Sequence, residues 1–130
     1  KTPSYRKLRS VDTRAMHHEA LMSMRQFLRA GDPQRSVVIT HHAPSMCSLP
    51  EHRRHEPISC AYASHLDAFI EGYEPLLWVH GHIHHSQDYV IGKTLVLSNP
   101  RAYVDEPNAL FEPQLVVDHD AEIHRYGEVQ

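Results

Sequence analysis

Apolar and polar positions alternate in blocks that mark separate elements. Ala15, Met16, Ala20, Leu21, Met24, Phe27 and Leu28 recur every three to four residues, which predicts an amphipathic helix whose stripe packs on a core. Asp12 or Thr13 is the expected cap, and Gly31 the expected end. The β-branched run at 36–40 predicts a buried strand, stopped by Pro44. Residues 45–60 are polar, and Pro50 and Pro57 oppose a helix there, so a long loop follows, of the kind that forms lids or substrate walls. Helical spacing returns at 61–71 with Ala63, Leu66, Phe69 and Ile70, capped by Ser59 or Ser64 and closed by Gly72. Leu76, Leu77, Trp78 and Val79 form a second buried-strand run. The blocks at 88–91 and 94–97 flank Gly92-Lys93 as a hairpin. A last strand is expected at 115–117, with Ile123 continuing its alternation. Helices interleaved with short strands read as an α/β fold.

Composition narrows the class. The 130 residues suffice for one modest domain, and 41% hydrophobic with 22% charged residues is ordinary for a globular chain. A net charge of -3 argues against a general nucleic-acid patch. No apolar run approaches the ~18 residues of a membrane span, and no signal-peptide pattern opens the chain. Cys47 and Cys60 do not make a disulfide framework, so reduced thiols and a cytoplasmic setting are expected. The first residue is Lys1, which suggests an excerpt of a longer protein.

Histidine is the outlier, with 13 copies. His80, His82, His84 and His85 fall just after the strand run at 76–79, broken by Gly81, a residue suited to a sharp turn at a strand end. His41 and His42 fall just after the run at 36–40. Imidazole binds Zn, Fe, Ni and Cu without burying a charge. In an extended backbone His82 and His84 point to one side. Open α/β sheets place ligand sites beyond the carboxyl ends of their strands. The two histidine groups are therefore expected to meet over one metal site, against the plainer reading of solvated polar loops. His17 and His18 read as surface residues. Arg53, Arg54, His52 and His55 make the 45–60 loop basic, suited to an anionic substrate or simply to solvent.

Three segments, Val-Ile-Thr-His-His-Ala-Pro at 38–44, Trp-Val-His-Gly-His-Ile-His at 78–84, and Asn-Pro-Arg-Ala-Tyr at 99–103 behind a hairpin, closely resemble the C-terminal half of the calcineurin-like metallophosphoesterases. The resemblance covers roughly residues 10–118. It implies an α/β fold that is the C-terminal part of a β-sandwich flanked by helices. It also implies two metal ions, drawn from Mn, Fe, Zn, Ni, Co and Mg, and hydrolysis of a phosphate mono- or diester through metal-activated water. His41, His82 and His84 would be metal ligands, with His42 as the alternative to His41. His80 and Asn99 would orient ligands, and Arg101 would brace the loop or approach substrate. The family's Asp-x-His, Gly-Asp-x-x-Asp and Gly-Asn-His-Asp/Glu motifs are missing. The resemblance therefore implies a single partial domain over 1–130, inactive or weak alone, whose missing N-terminal half is its partner in one site. The alternative is a His-rich metal-binding or interaction module without catalysis, using His41, His82, His84 and Asp88.

Overall fold

The computed structural model describes residues 7–118 and 120–124. The polar entry segment before Lys7 and the polar tail after His124 lie outside them. The chain divides into two compact units, Lys1–Gly31 and Asp32–Gln130. None of the described helices is long and apolar enough to cross a membrane.

The first unit holds α1, Ser10–Ala30. Its N-cap is Arg9 and not Asp12 or Thr13. Asp12 serves instead as the N3 carboxylate of a capping box, accepting from the Arg9 backbone N–H at 3.0 Å and from Arg9 Nε at 3.3 Å. Gly31 closes the helix as expected, its N–H donating to the Phe27 carbonyl at 3.1 Å. The apolar stripe, expected to be core, is largely exposed. Leu28 is buried, whereas Phe27 is 62% exposed and Met16 61%.

The second unit is built on a four-stranded mixed sheet of order β1-β2-β4-β3, formed by β1 (Val37–Thr40), β2 (Leu77–His80), β3 (Gln87–Ile91) and β4 (Thr94–Ser98). β1, β2 and β4 run parallel, and β3 returns antiparallel to β4 through the expected hairpin. The register aligns Val38, Trp78, Val96 and Tyr89 in one row, and Thr40, His80, Ser98 and Gln87 in the row at the carboxyl ends of the parallel strands. Both rows face the same side, because side chains alternate along a strand. Trp78 is fully buried there, with Phe69 edge-on at 6.4 Å and its indole N–H donating to Thr40 Oγ1 at 3.0 Å. On the opposite face Leu77, Leu95 and Leu97 pack with Leu115, Val117 and Ala121. These belong to or border a two-stranded antiparallel ribbon, β5 (Val116–Val117) with β6 (Ile123–His124). Ile123 was expected to extend the strand at 115–117. The chain reverses through an Ala121 N–H to Asp118 carbonyl bond instead, and Ile123 pairs back on Val117.

Two further expectations change. The helix expected at 61–71 is confined to α2, Asp67–Tyr73. Tertiary hydrogen bonds engage the preceding backbone instead: Ala43 N–H to the Tyr62 carbonyl (3.1 Å), Ser64 N–H to the Ala43 carbonyl (2.9 Å) and Leu66 N–H to the Pro44 carbonyl (2.9 Å). Leu66 stands at the N-cap rather than Ser59 or Ser64. Gly72 lies inside the helix, which ends at Glu74 in the left-handed region, φ 46. The 45–60 segment is exposed along much of its length but buries Ser45, Ser48, Leu49 and Ser59. It folds into 3-10 turns at Met46–Ser48, Glu51–Arg53 and Pro57–Ala61. Leu49 buries with Ala43, Ala63 and Ile83, flanked by Met46 and Tyr62. Arg54, expected to attract an anion or simply to face solvent, donates to the Leu49 and Cys47 carbonyls at 2.9 and 3.2 Å and so braces the segment.

Candidate metal and phosphate site

Parallel pairing of β1 with β2 puts Thr40 beside His80, so the two histidine-rich ends emerge together. The Gly81 N–H donates to the His41 carbonyl at 3.1 Å and extends the pairing by one step. Beyond it three imidazoles meet. Ring centroids are 5.2 Å apart for His41 and His42, 4.8 Å for His41 and His82, and 4.5 Å for His42 and His82. Both members of the His41-His42 pair therefore touch His82, and geometry leaves either as the ligand candidate.

His82 carries the turn. Its φ is 63, a left-handed conformation that disfavours most side-chain-bearing residues but is enriched for His. The expected extended backbone through 82–84 is replaced by two tight turns, Ile83 N–H to the Gly81 carbonyl and His85 N–H to the Ile83 carbonyl, each 2.7 Å. Gly81 is not the residue in the unusual conformation, and a Cβ there would meet His41 only at ordinary distance, 3.8 Å. Burial lowers the His82 pKa most, the like charge of His41 lowers it further, a hydrogen bond to the Ala61 carbonyl opposes, and His84 adds a smaller lowering. Tyr62 lies against the same ring, centroid 5.1 Å away and tilted 30°, and the Arg53 guanidinium sits over Tyr62 at 5.4 Å. Arg53 also pairs with Glu56 at 3.5 Å.

The remaining candidates divide. His84 is exposed, its ring T-stacked on Tyr103 at 4.5 Å, so it sits beside the cluster and contributes charge to His82 without joining the ring contacts. His80 is buried, 4% exposed, on the covered face of the sheet. Its Nε2 contacts Ser48 Oγ and its Nδ1 the Gly81 carbonyl, both at 3.0 Å. Burial lowers its pKa, with the Gly81 bond opposing. Asn99 ties the segment after β4 together, its Oδ1 accepting from Ser86 Oγ and the Glu112 N–H at 3.0 Å each, and its amide donating to the Glu112 carbonyl at 2.8 Å. Arg101 is exposed, and its carbonyl accepts from the Asn108 N–H. Asp88 lies outside the imidazole cluster. It lines a cavity of about 190 Å³ with Asn99, Leu110 and Glu112.

Ser48, Tyr62 and Tyr89 are neighbours of the site that motif spacing did not single out. Tyr89 alone had a readable signal, since its place in the hairpin alternation puts it on the His80 side. Ser48 and Tyr62 arrive through the folded 45–66 segment, which no periodicity announces.

The donor set is imidazole, a ligand type that suits Zn, Co, Ni and Fe. It is incomplete in number and orientation. Among the described residues, no group of three or more His, Cys, Asp and Glu side chains is placed to hold a metal ion. Comparison with protein-family models, with curated proteins and with solved structures gave no match to this chain.

Proposed function

We propose that this chain supplies the histidine side of a metal-dependent phosphoester hydrolase site of the metallophosphoesterase type. The remaining donors, carboxylates among them, would come from a segment outside these 130 residues. The observation that supports this most is the meeting of His41, His42 and His82 at the carboxyl ends of two adjacent parallel strands. His82, His84 and one of the His41-His42 pair would hold the metals. When bound, such ions polarise phosphoryl oxygens and activate water. The chain's own groups do the rest. Tyr62 lies against the His82 ring, and the Arg53 guanidinium over Tyr62 brings a cation suited to an anionic ester. The bareness of β1 is consistent with further strands of a sandwich adding there. Among the described residues it pairs on one side only, and Ile39 is 76% exposed. The cellular setting that fits this reading is the cytoplasm, with both cysteines free.

The test is to express this chain as one polypeptide with whatever is encoded in frame upstream of Lys1 and to assay Mn-dependent hydrolysis of an aryl phosphodiester. The expected result is EDTA-sensitive turnover that falls at least ~100-fold in His82→Ala, beyond the loss typical of groups that only orient ligands. Turnover indifferent to His82→Ala, or a stop codon upstream with a start near Lys1, overturns the reading. A second reading, a His-rich metal-binding module, draws on the fact that three rings gather within this chain alone. It requires one zinc per chain retained through dialysis, without turnover.

A further inference from the structure

We propose that Tyr89, Ser48 and His80 form a one-way hydrogen-bond relay that positions His82 by holding the Gly81 carbonyl. The direction follows from the partners. A carbonyl only accepts, so the 3.0 Å contact between His80 Nδ1 and the Gly81 oxygen places a proton on Nδ1. Both partners of the ring, a carbonyl and a hydroxyl, are uncharged, and a buried ring with only such partners is neutral. Nε2 is then an acceptor, and the Ser48 hydroxyl donates to it at 3.0 Å. That uses the single hydroxyl proton of Ser48. The 2.6 Å contact between Ser48 Oγ and Tyr89 Oη must therefore be donated by the phenol.

Each component is itself fixed. Ser48 is 1% exposed, and its carbonyl accepts from Gln87 Nε2 at 2.6 Å. Tyr89 and Gln87 both belong to β3, so the relay ties the hairpin to the end of β2. At the far end the Gly81 carbonyl accepts twice, from His80 Nδ1 and from the Ile83 N–H at 2.7 Å. Two donors on one carbonyl leave the 81–82 peptide little freedom to rotate. His82, at φ 63, begins on that peptide. The relay thus maintains the left-handed turn that carries the His82 ring to His41 and His42. Ser48, Tyr89 and His80 are positioning residues, acting through His82. Only the identity of His82 as a ligand rests on the proposed function. The proton directions and contacts of the relay are those of the metal-free chain.

The experiment is imidazole nitrogen NMR on the full ¹⁵N-labelled chain without metal, with His80→Gln and His82→Gln used for assignment. His80 is expected as the Nδ1–H tautomer, the minor form of free imidazole. Ser48→Ala is expected to remove that signature and shift the His82 ring signals, and Ser48→Thr, which keeps the hydroxyl, to restore both. Tyr89→Phe is expected to keep the tautomer while moving the His80 Nε2 resonance, which also provides a reading should Ser48→Ala lose its sheet. An Nε2–H tautomer or a free-imidazole mixture at His80 overturns the relay. So does a folded Ser48→Ala chain with unchanged His80 and His82 signals, or a Tyr89→Phe chain with an unmoved Nε2. None of these readouts depends on hydrolysis, so failure of the relay is distinguishable from failure of the hydrolase reading.

Discussion

The Thr94 hydroxyl is fully buried at the start of β4 and makes no hydrogen bond. An unsatisfied buried hydroxyl costs about 1–3 kcal/mol, whereas an apolar group of the same shape costs nothing comparable. Thr94→Val keeps the branched shape and is expected to raise stability by about 1 kcal/mol, read as a higher urea midpoint at unchanged slope. An unchanged or lower midpoint would show that the hydroxyl does useful bonding. Tyr89 gives a pH signature at the same scale. Burial pushes its phenol up to about 12. Between pH 10 and 12 the folded chain then retains a proton that the unfolded chain has released. The resulting stability is complete below pH 10 and lost as pH rises toward 12. Tyr89→Phe should therefore lose less melting temperature than the parent between pH 9 and 11, and parallel losses would contradict the shift. Individual site residues were unevenly legible. His41, His42 and His82 stood out because imidazoles directly follow two apolar runs. The left-handed backbone at His82 did not, since the adjacent Gly81 is the residue type that normally marks such a turn.

At the scale of elements, strands read more faithfully than helices. Each run of β-branched or bulky apolar residues became a strand within about a residue of its expected bounds, because such side chains favour extended backbone, although the face of β1 carrying Val37 and Ile39, expected to be buried, is exposed. The helix expected over 61–71 shrank to α2 because Tyr62, Ser64 and Leu66 spend their backbone groups on Ala43 and Pro44, partners that local periodicity does not reveal. The hairpin is a firmer case. Gly92 sits at φ 59, and a Cβ there would come within 3.0 Å of Glu74 Oε1, which also pairs that side chain with Lys93 at 3.2 Å through Oε2. Gly92→Ala adds left-handed strain and disturbs Glu74, and is expected to cost ~1–3 kcal/mol. A thermal melt unchanged from the parent would mean that the turn relaxes without cost.

On the scale of the whole molecule, an exposed apolar strand and the imidazole cluster lie next to each other. β1 is an edge strand with Val37 and Ile39 49% and 76% exposed, and His41 follows directly from it. The imidazoles gather from β1 and β2, but the carboxylates that most often accompany dinuclear phosphate chemistry are not among them. That combination makes a prediction about metal preference. Neutral nitrogen donors favour Zn and Co over Mn and Mg, which take oxygen ligands. The 130-residue chain alone is therefore expected to bind Zn or Co detectably and Mn much more weakly, measured by calorimetry and by the visible spectrum of Co. His82→Ala should weaken Zn at least about tenfold, the scale set by losing even a group that merely orients a ligand. His17→Ala, on the exposed face of α1, should leave binding unchanged and so separates the cluster from general histidine affinity. Mn binding as tight as Zn would mean that acidic side chains of this chain already complete the site. In that case the donors need not be sought in another segment, and the free edge of β1 would need a different explanation.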